Sequence, residues 1–145
     1  MKIFVVVPAY RAEATLESTV GRIPSEAWDS IATLLVLDDG SRDGTSEAAE
    51  RLRERLPQVR LVRSERDRGY GPTVRDGLSR ARASDCDAAV VLHADGQYAP
   101  ELVVPLATRL RERGLALLQG SRHRGGALQG GMPLYKFVGG KALCA

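Results

Sequence analysis

An open, mostly parallel α/β sheet with helices on both faces is the fold class that this 145-residue sequence predicts. Three observations carry the prediction. Four short runs rich in Val, Ile and Leu do not alternate with polar residues, as suits parallel strands buried on both faces. Segments of helical character separate these runs. Polar stretches follow three of the apolar runs, at the carboxyl ends where such sheets bind ligands.

The first strand is expected at Ile3–Val7, ended by Pro8, and the second at Ile31–Leu37. A helix over Thr45–Leu56 follows, with Ala48, Ala49, Leu52 and Leu56 on one face. Glu47 and Arg51 form an i,i+4 pair on its other face, and Asp43 is its expected N-cap. Val59–Val62 is the third strand and Thr73–Ala83 the next helix. Ala88–Leu92 is the fourth strand, followed by a helix over Pro100–Arg113 that Gly114 stops. A weaker fifth strand is expected at Leu115–Leu118, then a Gly-rich loop and a last helical segment, Leu134–Leu143. The order β-α-β-α-β-α-β-α-β implies right-handed crossovers.

Hydrophobic residues make up 43% and charged residues 27%, enough for a core without disulfide staples. The length suits one domain over residues 1–145, with no internal repeat or linker. Cys86 and Cys144 form no metal-finger spacing and no disulfide framework, which fits a reducing compartment. The net charge is +3, and the arginines are mostly interleaved with glutamates, so no nucleic-acid partner is expected. No apolar run approaches the roughly 20 residues that cross a membrane. The Met1–Val7 run lacks a small-residue cleavage site and reads as a strand, not a signal peptide.

Four stretches on the expected rim carry chemistry, and each has a plainer structural alternative. Pro8-Ala9-Tyr10 offers an aromatic that could stack on a nucleobase; equally, it is a proline turn with Tyr10 half buried. Asp38 and Asp39 are adjacent carboxylates whose repulsion a cation or a ligand's donor groups would relieve; Asp, Gly and Ser also make turns. Gly69 and Gly71 precede a helix whose N-terminus offers free N–H groups to anions, with Arg68 and Arg75 adding charge; a tight turn needs the same glycines. His93, Asp95 and Gln97 stand at alternate positions and share one side if the chain stays extended, giving an imidazole, a carboxylate and a carbonyl for a divalent ion. The alternative there is a polar loop before the Pro100 helix.

Taken in order, VVVPAYRAE, VLDDGSRDGT, RDRGYGPTVRDGL, VVLHADGQYAPE and GSRHRGG followed by GGMPLYKFVGGKAL resemble the family 2 glycosyltransferases over essentially the whole chain. Each piece is weak; their order and spacing are specific. The nearest branch is that of the dolichyl- or polyprenyl-phosphate mannose and glucose synthases. The resemblance implies the Rossmann-like GT-A fold and transfer of a sugar, with inversion, from a nucleoside-diphosphate sugar. Pro8, Ala9, Tyr10 and Glu13 match the family's first nucleotide-contacting loop. Asp39, with Asp38 beside it, matches the acid that holds the base or ribose. His93, Asp95 and Gln97 match the metal-binding pattern, where Mg²⁺ or Mn²⁺ bridges the donor diphosphate. Arg122 matches an arginine near the diphosphate and acceptor.

Two departures matter. His93 replaces the first aspartate of the metal pattern, and histidine is a poorer Mg²⁺ ligand, leaving Asp95 as the main one. The chain also ends at Cys144-Ala145 inside an apolar stretch where family members continue, so it is expected to be C-terminally truncated relative to them. No residue is assigned as catalytic base, and a polyprenyl-phosphate acceptor needs none, being already an anionic nucleophile. The expected partners are a GDP- or UDP-sugar and a lipid phosphate. Oligomer contacts or membrane association would come through the missing part. The expected location is the cytoplasm, at the membrane face if the acceptor is lipid. The alternative is a nucleotide-sugar-binding module without turnover. A phosphotransferase built on Asp38-Asp39-Gly40-Ser41 ranks low, because Lys2, Lys136 and Lys141 are the only lysines and none follows a suitable strand.

Overall fold

The structure is a computed structural model that describes residues 1–120. Strands β1 (Ile3–Ala9), β2 (Ile31–Asp38), β3 (Val59–Arg63) and β4 (Ala88–Val91) form one sheet in the order β3-β2-β1-β4. All three pairings are parallel, with Val6 level with Leu35 on one side and Val91 on the other. Every residue of β1 is buried, as expected of the central strand under helices on both faces.

Four helices cover the sheet: α1 (Leu16–Gly21), α2 (Thr45–Arg55), α3 (Tyr70–Arg82) and α4 (Val103–Glu112). Leu16 and Val20 of α1, Ala48, Ala49 and Leu52 of α2, and Val103 and Ala107 of α4 join Val5, Val7, Leu34 and Val36 in one core. Ala81 of α3 packs with Phe4, Val6, Leu35 and Leu37 on the opposite face. The two-faced α/β architecture is therefore the predicted one. α3 lies close to the sheet because Gly77 has no side chain: a Cβ there would fall 2.3 Å from Val6 Cγ1 and 2.9 Å from Leu37 Cδ1. Gly77→Val is expected to cost about 3 kcal/mol through overpacking, read from the denaturant midpoint.

Several expectations change in detail. Asp43 lies one residue before the N-cap, Gly44, yet does the capping: its Oδ1 accepts from Thr45 N–H at 3.2 Å and from Thr45 Oγ1 at 2.5 Å. The Thr45 hydroxyl, chiefly, holds the Asp43 carboxyl below its usual range. Arg51 does not pair with Glu47; it reaches Glu17 on α1 at 2.7 Å, where Arg55 joins the same carboxylate at 2.5 Å. Packing of α1 against α2 supplies this nearer partner.

α3 begins three residues before the expected start, and the Pro100 helix opens with a 3₁₀ turn, Pro100–Leu102. The expected strand at Leu115–Leu118 is not formed. Gly114, at φ +59, ends α4; Gly114 N–H bonds Arg111 O at 3.0 Å and Leu115 N–H bonds Leu110 O at 2.9 Å. That closure takes the amide with which the strand would have begun. Met1–Leu115 form one compact unit, and a second begins at Ala116. The expected helix Leu134–Leu143 and residue Arg122 lie outside the described residues.

Candidate functional site

The order β3-β2-β1-β4 sends the chain outward from β1 in one direction and returns it beside β1 at β4. That reversal makes a crevice beyond the carboxyl ends of β1 and β4. The loops after β1 and β2 are stapled together there. Asp39 N–H donates to Ala9 O at 2.9 Å, Arg11 N–H to Ser41 Oγ at 3.0 Å and Ala12 N–H to Thr45 Oγ1 at 2.8 Å. The Glu13 carboxylate accepts from Gly44 N–H at 3.0 Å.

The adjacent aspartates face opposite ways, as neighbours on a strand must. Asp38 is 1% exposed. Its carboxylate accepts from Ser41 N–H at 2.9 Å and from Ser46 Oγ, and so holds the turn from inside. Asp39, 4% exposed, faces the crevice. Its Oδ1 accepts from Arg68 N–H at 3.1 Å, with Arg68 Nε at 3.5 Å; Oδ2 has no partner among the described residues. Arg68 also reaches Asp76 at 3.4 Å, so its charge is shared between carboxylates.

After β4 the chain does not stay extended. Gly96 adopts φ +72 and Asp95 Oδ1 accepts from Gln97 N–H at 3.0 Å, closing a turn. The expected alternation of His93, Asp95 and Gln97 on one side is lost at this point. The His93 ring lies between two tyrosines, its centroid 5.0 Å from that of Tyr70 and 4.3 Å from that of Tyr98. His93 Nε2 lies 2.8 Å from the Tyr70 hydroxyl. Burial, and then the Tyr98 hydroxyl, push the Tyr70 phenol above its ordinary range, so it keeps its proton at neutral pH. Helix α1 supports the loop from behind: Thr19 Oγ1 donates to Ala94 O at 3.2 Å and Arg22 Nη1 to Gly96 O at 3.3 Å. Arg22 is itself held by Glu101 at 2.8 and 3.0 Å.

These strand ends enclose a cavity of about 340 Å³. Pro8, Ala9 and Tyr10 line it from β1, Asp39 from β2, and His93, Ala94 and Asp95 from β4. Asp67 and Gly69, just before α3, and Tyr70 and Thr73 of α3 complete the wall; sequence reasoning assigned neither Tyr70 nor Thr73 a role there, because nothing local marks which α3 residues face the sheet. Glu13, Asp38, Arg75 and Gln97 are not in this wall: Glu13 and Asp38 hold turns, while Arg75 and Gln97 are exposed nearby. A larger, more open groove of about 620 Å³ lies along α2 and β3, lined by Glu47, Glu50, Arg51, Glu54 and Arg63 among others, and includes none of the rim residues singled out in the sequence. No three His, Cys, Asp or Glu side chains come together as a cation site among the described residues. Asp95, exposed at the cavity rim, remains a hard-oxygen ligand able to share an ion with a diphosphate.

Comparison with known proteins agrees with this geometry. The sequence pattern of Glycosyl transferase family 2 matches residues 4–139. The UDP-N-acetylglucosamine–dolichyl-phosphate N-acetylglucosaminyltransferase of Methanococcus voltae is 28% identical over 97% of this chain and 60% of its own length. The dolichol-phosphate mannosyltransferase of Pyrococcus furiosus is 31% identical over 94% of this chain and 37% of its own. Glucosyl-3-phosphoglycerate synthase from Mycobacterium tuberculosis, solved with Mn²⁺, UDP and glucosyl-3-phosphoglycerate, superposes with a TM-score of 0.58 at 30% identity, covering 76% of this chain and 39% of that one. The chain thus spans between 37% and 60% of the length of these named relatives. With its GT-A sheet, its crevice at the strand ends and a family match over nearly its whole length, the chain belongs to glycosyltransferase family 2.

Proposed function

We propose that this chain is the donor-binding half of a metal-dependent, inverting glycosyltransferase that takes a GDP- or UDP-sugar and passes the sugar to a polyprenyl phosphate. The supporting observation is that three strand ends meet around one cavity, with a buried carboxylate, Asp39, on one side and Asp95 on the other. Tyr10, 46% exposed, stacks on the base and Asp39 accepts from the nucleoside. A Mg²⁺ or Mn²⁺ ion would be held by Asp95, with Gln97 and His93 near it, and when bound would offset charge on the diphosphate leaving group. The acceptor phosphate attacks the anomeric carbon in line and needs no base from the chain. Relatives named for dolichyl- or dolichol-phosphate acceptors support the lipid acceptor. Among the described residues no helix is long and apolar enough to cross a membrane.

Calorimetric titration with GDP, UDP and their sugar derivatives, in Mn²⁺ and then in EDTA, tests this. Metal-dependent binding of one nucleotide is the expected result, and no binding by a folded chain overturns it. Binding without transfer to any polyprenyl phosphate would leave a donor-binding module. His93→Asp is expected to tighten the apparent Mg²⁺ affinity in these titrations by about tenfold or more, since even outer-sphere partners change metal affinity that much. An unchanged metal preference would mean that position 93 serves the Tyr70 and Tyr98 contacts instead.

A further inference from the structure

Thr73, in the first turn of α3, is 1% exposed, and its Oγ1 has no hydrogen-bond partner among the described residues. A helical threonine commonly bonds the carbonyl one turn back. Here Gly69 O accepts the Thr73 N–H at 3.3 Å, and the Thr73 hydroxyl does not bond it. A buried hydroxyl left in this way is costly unless something else satisfies it. Thr73 also lines the strand-end cavity.

The packing of α3 fixes where along the cavity this hydroxyl lies. Gly77 rests on Val6 and Leu37. Thr73 is four residues earlier on the same face, about 6 Å nearer the helix N-terminus. Two residues further along β1 and β2, about 6.6 Å, stand Pro8 and Asp39. The crossover from β3 to β4 runs α3 antiparallel to the strands, so Thr73 comes level with those two residues. A carboxylate with an open oxygen and an unsatisfied hydroxyl therefore share one end of the cavity.

We propose that the Thr73 hydroxyl is a base-selecting contact of the donor site, donating to a keto oxygen of the nucleobase while Asp39 accepts the adjoining imide N–H. Uracil and guanine both present that donor–acceptor edge; cytosine and adenine do not. The inference rests on the donor-binding reading above and deepens it.

Thr73→Val keeps the shape and removes the hydroxyl; Thr73→Ser keeps the hydroxyl. Each variant and the parent chain are titrated with UDP, GDP and CDP in Mn²⁺ and melted without nucleotide. The expected result is that Thr73→Val weakens the preferred keto-base nucleotide by about five- to tenfold, the net worth of one hydrogen bond. CDP binding stays unchanged, Thr73→Ser stays near the parent, and the melting point of Thr73→Val is equal or higher. Undiminished UDP or GDP binding by Thr73→Val overturns the inference alone, as does an equal loss for all three nucleotides with a lowered melting point. A folded parent chain that binds no nucleotide overturns the donor reading and the inference with it.

Discussion

Asp39→Asn is expected to weaken nucleotide binding by about 10- to 100-fold, the range for losing a charge-assisted hydrogen bond. Asparagine matches the shape of aspartate and keeps an acceptor for Arg68 N–H, which Asp39 Oδ1 receives at 3.1 Å. What changes is the second oxygen, the one assigned to the base in the proposal above, which becomes an NH₂ group. It then meets an imide N–H, donor against donor. Stability should change little: the Arg68 guanidinium stands 3.5 Å from Asp39 and is more than a third exposed, so that ion pair contributes at most about 1 kcal/mol. Calorimetry and a thermal melt on the same sample separate the two effects. Full affinity in a folded Asp39→Asn chain would remove Asp39 from the site.

Asp38→Ala should do the reverse, lowering stability by about 3 kcal/mol while sparing nucleotide contacts. Its carboxylate satisfies Ser41 N–H and the Ser46 hydroxyl at a position 1% exposed. Truncation orphans both donors, each costing about 1–3 kcal/mol, partly relieved if water enters. For a chain of this size the melting midpoint should fall by about 10 °C. Asp38→Asn, which keeps one acceptor, should lose less. A melting point unchanged by Asp38→Ala would show that the turn does not depend on this side chain.

That contrast marks how far the sequence could be read. Two adjacent aspartates at a strand end must face opposite ways, but the pattern alone does not say which one faces the crevice. The β1–β2 pairing decides it, by setting Ala9 level with Asp38 and turning Asp39 outward. β1 and the later part of β2 were legible because burial on both faces leaves no polar alternation; the edge strands β3 and β4 are partly exposed and were marked only by their Val, Leu and Ala content, and all four ends shift by no more than two residues. Leu115–Leu118 has the same apolar character, yet there a helix stop uses the Leu115 amide first. α1 was not delimited: at six residues it is too short for a periodic pattern, although Leu16, Thr19 and Val20 are buried. The pairing of Tyr70 with His93 joins residues 23 apart, and the cavity-facing side of Thr73 depends on the bare surface of Gly77. Contacts of that kind arise from the packed fold and leave no local signature.

The central place of β1 has a consequence for the nascent chain. β1 gains β2 as a neighbour once residue 38 has been made, but its other edge waits for β4, residues 88–91. At about 5–20 residues per second that interval is roughly 3–10 s. Throughout it, an entirely apolar strand presents a row of open amides and carbonyls, the template on which edge-to-edge aggregation begins. Ribosomes paused within this window would expose that edge for longer. A delay in translation between residues 38 and 88 should therefore cost soluble yield more than an equal delay after residue 91.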